Sequence, residues 1–96
     1  EWRKAVLNAF REVEVTLVDI KELEDEVKLA ERVLDAVTLR LENAKTRFAA
    51  GVADEREVVI AVREQSLARR THANLELELC QATVRLAVAT GGGWKK

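Results

Sequence analysis

The sequence has no proline, and its four glycines are Gly51 and the run at positions 91–93. A chain with so few helix-breaking residues offers few points at which a helix must end. A single cysteine excludes a disulfide within the chain. No run of about 18 uncharged apolar residues is present, and the start EWRKAVLNAF is not a signal peptide, so no membrane span or targeting segment is predicted within it.

Aromatic residues are also scarce, at 4% of the chain, and the charges nearly cancel, with 16 basic and 17 acidic residues. The two signs are interleaved, so there is no basic stripe of the kind that binds nucleic acid. Ala, Val, Leu, Glu and Arg dominate instead, and that composition is typical of long helices and coiled coils. An all-α protein without a nucleic-acid partner is therefore predicted.

The first half of the chain carries one apolar stripe whose members are three or four residues apart. The stripe comprises Val6, Phe10, Val13, Leu17, Ile20, Leu23, Val27, Ala30, Leu34, Val37, Leu41, Ala44 and Phe48. This spacing predicts a helix over about residues 2–50. Two successive steps of three, at Leu17, Ile20 and Leu23, predict a locally overwound stripe.

The second half carries two apolar stripes with helical spacing. The first comprises Val59, Val62, Ser66, Ala73, Leu77, Cys80, Val84 and Ala87, and the second Ala61, Ala68, His72, Leu75, Leu79, Ala82, Leu86 and Ala89. They predict a helix over about 54–90, followed by a Gly-rich tail at 91–96. The stretch LELELC at 75–80 alternates like a strand, but it is short and flanked by helix formers, so it is assigned to the helix.

Gly51 lies where a left-handed residue is needed just past a helix end, because glycine adopts that conformation without a Cβ penalty. Together with Val52 and Ala53 it forms a predicted turn at 51–53. Asp54 is the expected N-cap of the second helix, and Glu57 is placed to complete a capping box by bonding back to the Asp54 amide.

These elements predict a single domain over 1–96, a long antiparallel helical hairpin that resembles a coiled coil. Two helices alone cannot bury both stripes of the second helix, so further helices are expected to cover the rest. The isolated chain is expected to dimerise as a four-helix bundle.

Three segments, in order, resemble the C-terminal region of the TolC family of outer-membrane efflux proteins, especially its NodT-like lipoprotein branch. They are WRKAVLNAFREVEVTL at 2–17, TRFAAGVADEREVV at 46–59 and RLAVATGGGW at 85–94. The resemblance covers essentially the whole chain, with spacing that fits two antiparallel helices.

The resemblance implies a segment of the periplasmic α-barrel of a homotrimeric efflux duct, in the outer membrane of a Gram-negative bacterium. It further implies that the hairpin turn docks a periplasmic adaptor protein, which connects the duct to an inner-membrane pump. The docking residues would be Gly51, Val52, Ala53 and Asp54, and Glu57 would be a carboxylate at the pore entrance.

The chain departs from the family pattern at four positions near these motifs. Phe48 stands where the family usually has tyrosine, Glu55 and Arg56 replace an aromatic or aliphatic pair, and Thr90 replaces leucine before the glycines. The first of these removes a phenolic hydroxyl, and the next two add charge beside the turn.

No catalytic, cofactor-binding or metal site is predicted. His72 has no second His or Cys at ligand spacing and is expected to be partly buried or interfacial, and Cys80 is expected to pack as a small hydrophobe. The alternative function is a free-standing helical scaffold or dimerisation module. A small helical enzyme of the chorismate-mutase kind would need Arg, Lys and Glu side chains converging on an anionic substrate, and the sequence shows no such convergence.

Overall fold

The computed structural model describes residues 2–92 as two α-helices followed by a π-helical turn. Helix α1 is Trp2–Ala49, helix α2 is Glu55–Ala87, and the π-helical turn is Val88–Gly92. No strand occurs in this part of the chain, and residues 75–80 belong to α2. The prediction of an all-α helical hairpin is confirmed.

Both helices are long because nothing in their sequences interrupts them. Helix α1 has 48 residues and α2 has 33, and neither contains glycine or proline. The average helix of a globular protein has about 11–12 residues. Within residues 2–92, neither helix includes a stretch that combines the length and the apolar character needed to cross a membrane.

The chain divides into two compact units, of which the first is Val27–Asn74. It contains the second part of α1, the turn and the first part of α2. Its buried residues are Val27, Ala30, Val37, Leu41, Ala44, Ala61 and Ala68. On α2 the buried positions are alanines, and small side chains there allow Leu41 and Ala44 of α1 to pack closely against Ala61 and Val58.

The second unit combines Glu1–Glu26 with Leu75–Lys96 and is described over residues 2–26 and 75–92. Ala82 is its one fully buried residue among the described side chains. Its half-buried side chains include Val13, Thr16, Ile20, Leu23, Leu75, Leu79 and Leu86. We call these positions, together with the buried positions of both units, the seam.

The seam of α1 differs from the predicted stripe at Leu17, and the stripe members Val6, Phe10 and Phe48 are exposed as well. Thr16 is half-buried, whereas Leu17 is 49% exposed. With Thr16 in place of Leu17, the steps through Val13, Ile20 and Leu23 alternate between three and four, and the overwinding predicted from Leu17 is wrong. The Thr16 hydroxyl donates to the Glu12 carbonyl at 2.8 Å, so a polar residue can lie here without an unsatisfied hydrogen-bonding group.

On α2 the second predicted stripe is the one that belongs to the seam. Ala61, Ala68 and Ala82 are buried, whereas the first stripe, which begins at Val59 and Val62, is exposed. The other exposed members are Ser66, Ala73, Leu77, Cys80, Val84 and Ala87. The two-helix fold thus leaves one apolar stripe of α2 in contact with solvent.

The end of α2 differs from the expected boundary near residue 90. The α-helical pattern ends at Ala87, and the π-helical turn continues through Gly91 and Gly92. The Thr90 hydroxyl donates to the Leu86 carbonyl at 2.8 Å and so competes for an acceptor that α-helical amides use. Of the expected tail, Gly93, Trp94, Lys95 and Lys96 lie outside the described residues.

Replacing Leu41 with alanine should lower the free energy of unfolding by about 2–3 kcal/mol, because it leaves a cavity beside Ala44 and Ala61. Leu41 is 5% exposed, whereas Leu39 of the same helix is 63% exposed. Leu39→Ala is therefore the matched control and should change the unfolding free energy by less than about 0.5 kcal/mol. Urea unfolding of both variants tests this, and equal losses would contradict the assigned seam.

Candidate functional site

The end of α1 is a Schellman motif centred on Gly51. Gly51 has a φ of 78°, in the left-handed region. Its amide donates to the Phe48 carbonyl at 3.0 Å, and the Val52 amide donates to the Arg47 carbonyl at 2.9 Å. The Ala53 amide reaches the same Arg47 carbonyl at 3.2 Å. The turn predicted from Gly51 is therefore closed by backbone hydrogen bonds.

The start of α2 is capped by Asp54, as the sequence predicts. Its Oδ1 accepts from the Arg56 amide at 3.1 Å, and its carbonyl accepts from the Glu57 amide at 3.1 Å. The side-chain bond satisfies an amide that has no partner inside the helix. Glu55 and Glu57 lie in the first turn of α2, where negative charge is favoured by the helix dipole.

The capping box predicted for Glu57 is wrong. Its carboxylate does not bond to the Asp54 amide but accepts a hydrogen bond from Arg47, with 3.0 Å between Arg47 Nη1 and Glu57 Oε1. The alternative partner is available because the turn brings the last turn of α1 beside the first turn of α2. The Arg47–Glu57 pair thus joins the two helices directly across the turn.

Further polar pairs link the helices away from the turn in the same unit. Arg40 Nη1 lies 2.7 Å from Glu64 Oε1. The side-chain amide of Gln65 donates from Nε2 to the Thr38 hydroxyl at 3.1 Å. Arg40 precedes Arg47 by seven residues and Glu64 follows Glu57 by seven, so the two ion pairs recur on one side of the helix pair. Such spacing is what an antiparallel pair with a fixed register produces.

The residues predicted to dock a partner lie together on this turn. Gly51, Val52 and Asp54 are exposed, and Ala53 is half-buried. Val52 is 68% exposed, on a segment whose backbone is hydrogen-bonded. Glu57 is also exposed, in its pair with Arg47.

The sequence prediction missed Arg47 as a member of this site. The sequence does contain a signal for this pair. A short turn between antiparallel helices brings the end of the first helix beside the start of the second, so a basic residue before the turn and an acidic residue after it can meet. Helical phase decides which cation and which anion meet, and that phase is fixed by the turn conformation.

The burial predicted from the sequence is confirmed for His72 of α2 but not for Cys80 of the same helix. His72 is half-buried, as expected, with its Nε2 3.6 Å from the Glu31 carboxylate on α1. Cys80 was expected to pack as a small hydrophobe, but it is exposed. The reason is that Cys80 belongs to the stripe of α2 that does not contribute to the seam.

Comparison with known proteins identifies related chains. The family model described as "Outer membrane efflux protein" matches residues 1–92. "Cation efflux system protein CusC" from Escherichia coli O6:H1 is 28% identical over 95 residues, and the protein of that name from Escherichia coli O157:H7 is 27% identical over 95 residues. Both alignments cover 99% of this chain and 21% of the relative, so the chain spans about a fifth of the length of these curated relatives. No solved structure matches the chain with significance.

Replacing Gly51 with alanine should destabilise the hairpin by about 1 kcal/mol, because an L-residue at positive φ is strained. A Cβ at Gly51 would meet no atom within 4 Å, so the effect is conformational rather than steric. Gly91 offers the control, since a Cβ there also meets no atom within 4 Å and its φ is not in the left-handed region. Thermal unfolding should show a loss for Gly51→Ala and little change for Gly91→Ala, and the assigned turn fails if the two behave alike.

Proposed function

Because this chain belongs to the outer membrane efflux protein family, we propose that it is a periplasmic α-barrel segment of a trimeric efflux duct in the outer membrane of a Gram-negative bacterium. The segment acts as part of a passive wall, without catalysis of its own. Its turn, formed by Gly51, Val52, Ala53 and Asp54, docks a periplasmic adaptor that connects the duct to an inner-membrane pump.

The observation that carries the docking role is the exposed Val52 on a turn with a fixed backbone. Val52 and Ala53 donate their amides to the Arg47 carbonyl, so the turn does not need a partner to satisfy these groups. The Val52 side chain, in contrast, is apolar and exposed to water. Burying it against an apolar surface of a partner would be favourable. A preformed turn also limits the entropy that binding would otherwise cost.

The wall role is supported by the apolar surface that the seam leaves exposed. The first stripe of α2 is accompanied by exposed apolar side chains on α1, including Val18, Leu29 and Val33. Neighbouring helices of other subunits would cover such surface in a barrel. The alternative, a free-standing scaffold or dimerisation module, explains the same stripes, but it gives no role to an apolar residue at the turn.

Glu57 is proposed to lie at the pore entrance with its charge compensated. The carboxylate is exposed but is paired with the Arg47 guanidinium of the same chain. Its effect on ions passing the entrance is therefore weaker than that of an isolated carboxylate.

Replacing Val52 with aspartate should abolish or strongly weaken adaptor docking, because a charged side chain would be removed from water at the contact. Val52→Leu keeps the apolar character and should preserve docking. Since Val52 is exposed, neither substitution should change the thermal unfolding midpoint by more than a few degrees. The measurement is adaptor binding by the intact protein, and unchanged binding of the aspartate variant would refute the docking role.

The isolated 96-residue chain should self-associate, with two hairpins forming a four-helix bundle that covers the exposed stripes. Light scattering measures the mass directly. A stable monomer at micromolar concentration would contradict this expectation, and charged substitutions at Val59 and Val62, both exposed on α2, should shift a dimer towards monomer.

A further inference from the structure

We propose that Arg47 is the positioning residue of the turn, fixing the orientation in which Val52 meets a partner. The proposal rests on the docking role given above and identifies the residue on which that role depends. Arg47 interacts with both sides of the turn, through its carbonyl and through its guanidinium.

The carbonyl of Arg47 holds the turn itself. It accepts hydrogen bonds from the amides of Val52, at 2.9 Å, and Ala53, at 3.2 Å. These are two of the four predicted docking residues. The direction in which Val52 projects is therefore tied to the position of the Arg47 backbone.

The guanidinium of Arg47 holds the first turn of α2. It donates to Glu57 at 3.0 Å, and the Glu57 amide in turn donates to the Asp54 carbonyl at 3.1 Å. Arg47 is thus hydrogen-bonded to the turn through its carbonyl and to the first turn of α2 through its guanidinium. Opening the side-chain pair removes the direct side-chain link between the last turn of α1 and the first turn of α2.

The Arg40–Glu64 pair provides a natural control within the same unit. It joins the same two helices through the same atom types and is similarly exposed, yet neither residue bonds to an amide of the turn. A general contribution of ion pairs to helix association would make the two pairs equivalent. A positioning role makes Arg47 different from Arg40.

The test measures hydrogen exchange of the Val52 and Ala53 amides in the intact protein without partner. Exposed ion pairs of this kind change equilibria by about 1.4- to 5-fold. Arg47→Gln and Glu57→Gln should each accelerate exchange at these two amides by about two- to fivefold, and the double variant should add little further. Arg47→Lys keeps a cation that can reach Glu57 and should restore slow exchange, while Arg40→Gln should leave the two amides unchanged.

Adaptor binding of the same variants completes the test. Arg47→Gln should weaken binding by a similar factor, with Arg47→Lys and Arg40→Gln close to the unsubstituted protein. The proposal is overturned if Arg47→Gln leaves exchange unchanged, if Arg40→Gln accelerates it equally, or if exchange accelerates while binding is unaffected. Because exchange is measured without partner, it tests the effect of the Arg47–Glu57 pair on the turn even where Val52→Asp has refuted the docking role.

Discussion

The left-handed conformation of Gly51 is the constraint on which the other contacts of the hairpin depend. Its φ of 78° lets the chain leave α1 and begin α2 within a few residues. One residue more or less in this turn would rotate α2 by about 100° around its axis. Arg47 would then no longer face Glu57, and Ala61 would leave the position opposite Leu41. The turn conformation thus sets both the polar pairs and the apolar contacts of Val27–Asn74.

The seam that results is narrow, and this explains the surface that remains exposed. Alanines on α2 allow close packing, but each buries little apolar area, so much of the available apolar surface lies outside the seam. Long helices are stabilised mainly by the packing of an apolar face rather than by propensity. A two-helix chain of this kind gains stability when further helices cover its outer stripe, and the proposed barrel wall would provide such helices. Membership of the efflux family and the exposed stripe therefore lead to the same expectation by independent arguments.

Much of the fold could be predicted because the relevant signals are local. The absence of proline, the regular apolar spacing and the single interior glycine are sufficient for two helices and a turn. The seam was harder, because apolar character alone favours Leu17 over Thr16, whereas helical phase selects Thr16 and the Glu12 carbonyl satisfies its hydroxyl. The choice between the two stripes of α2, and with it the exposure of Cys80, also depends on phase. That phase follows from the turn and cannot be obtained from either helix by itself.

The same distinction between local and non-local signals applies to the candidate site. Gly51 and Asp54 are recognisable because each acts on its own neighbourhood, whereas the partner of Glu57 depends on which residue α1 presents across the turn. Since the turn amides of Val52 and Ala53 are already satisfied by Arg47, a partner would interact with the Val52 side chain rather than with the backbone. The departures from the family pattern at Glu55 and Arg56 would then affect such a contact mainly through their charge. Both residues are exposed, and their side chains form no hydrogen bond within residues 2–92, so they would alter the charge around such a contact without taking part in the hydrogen bonds of the turn.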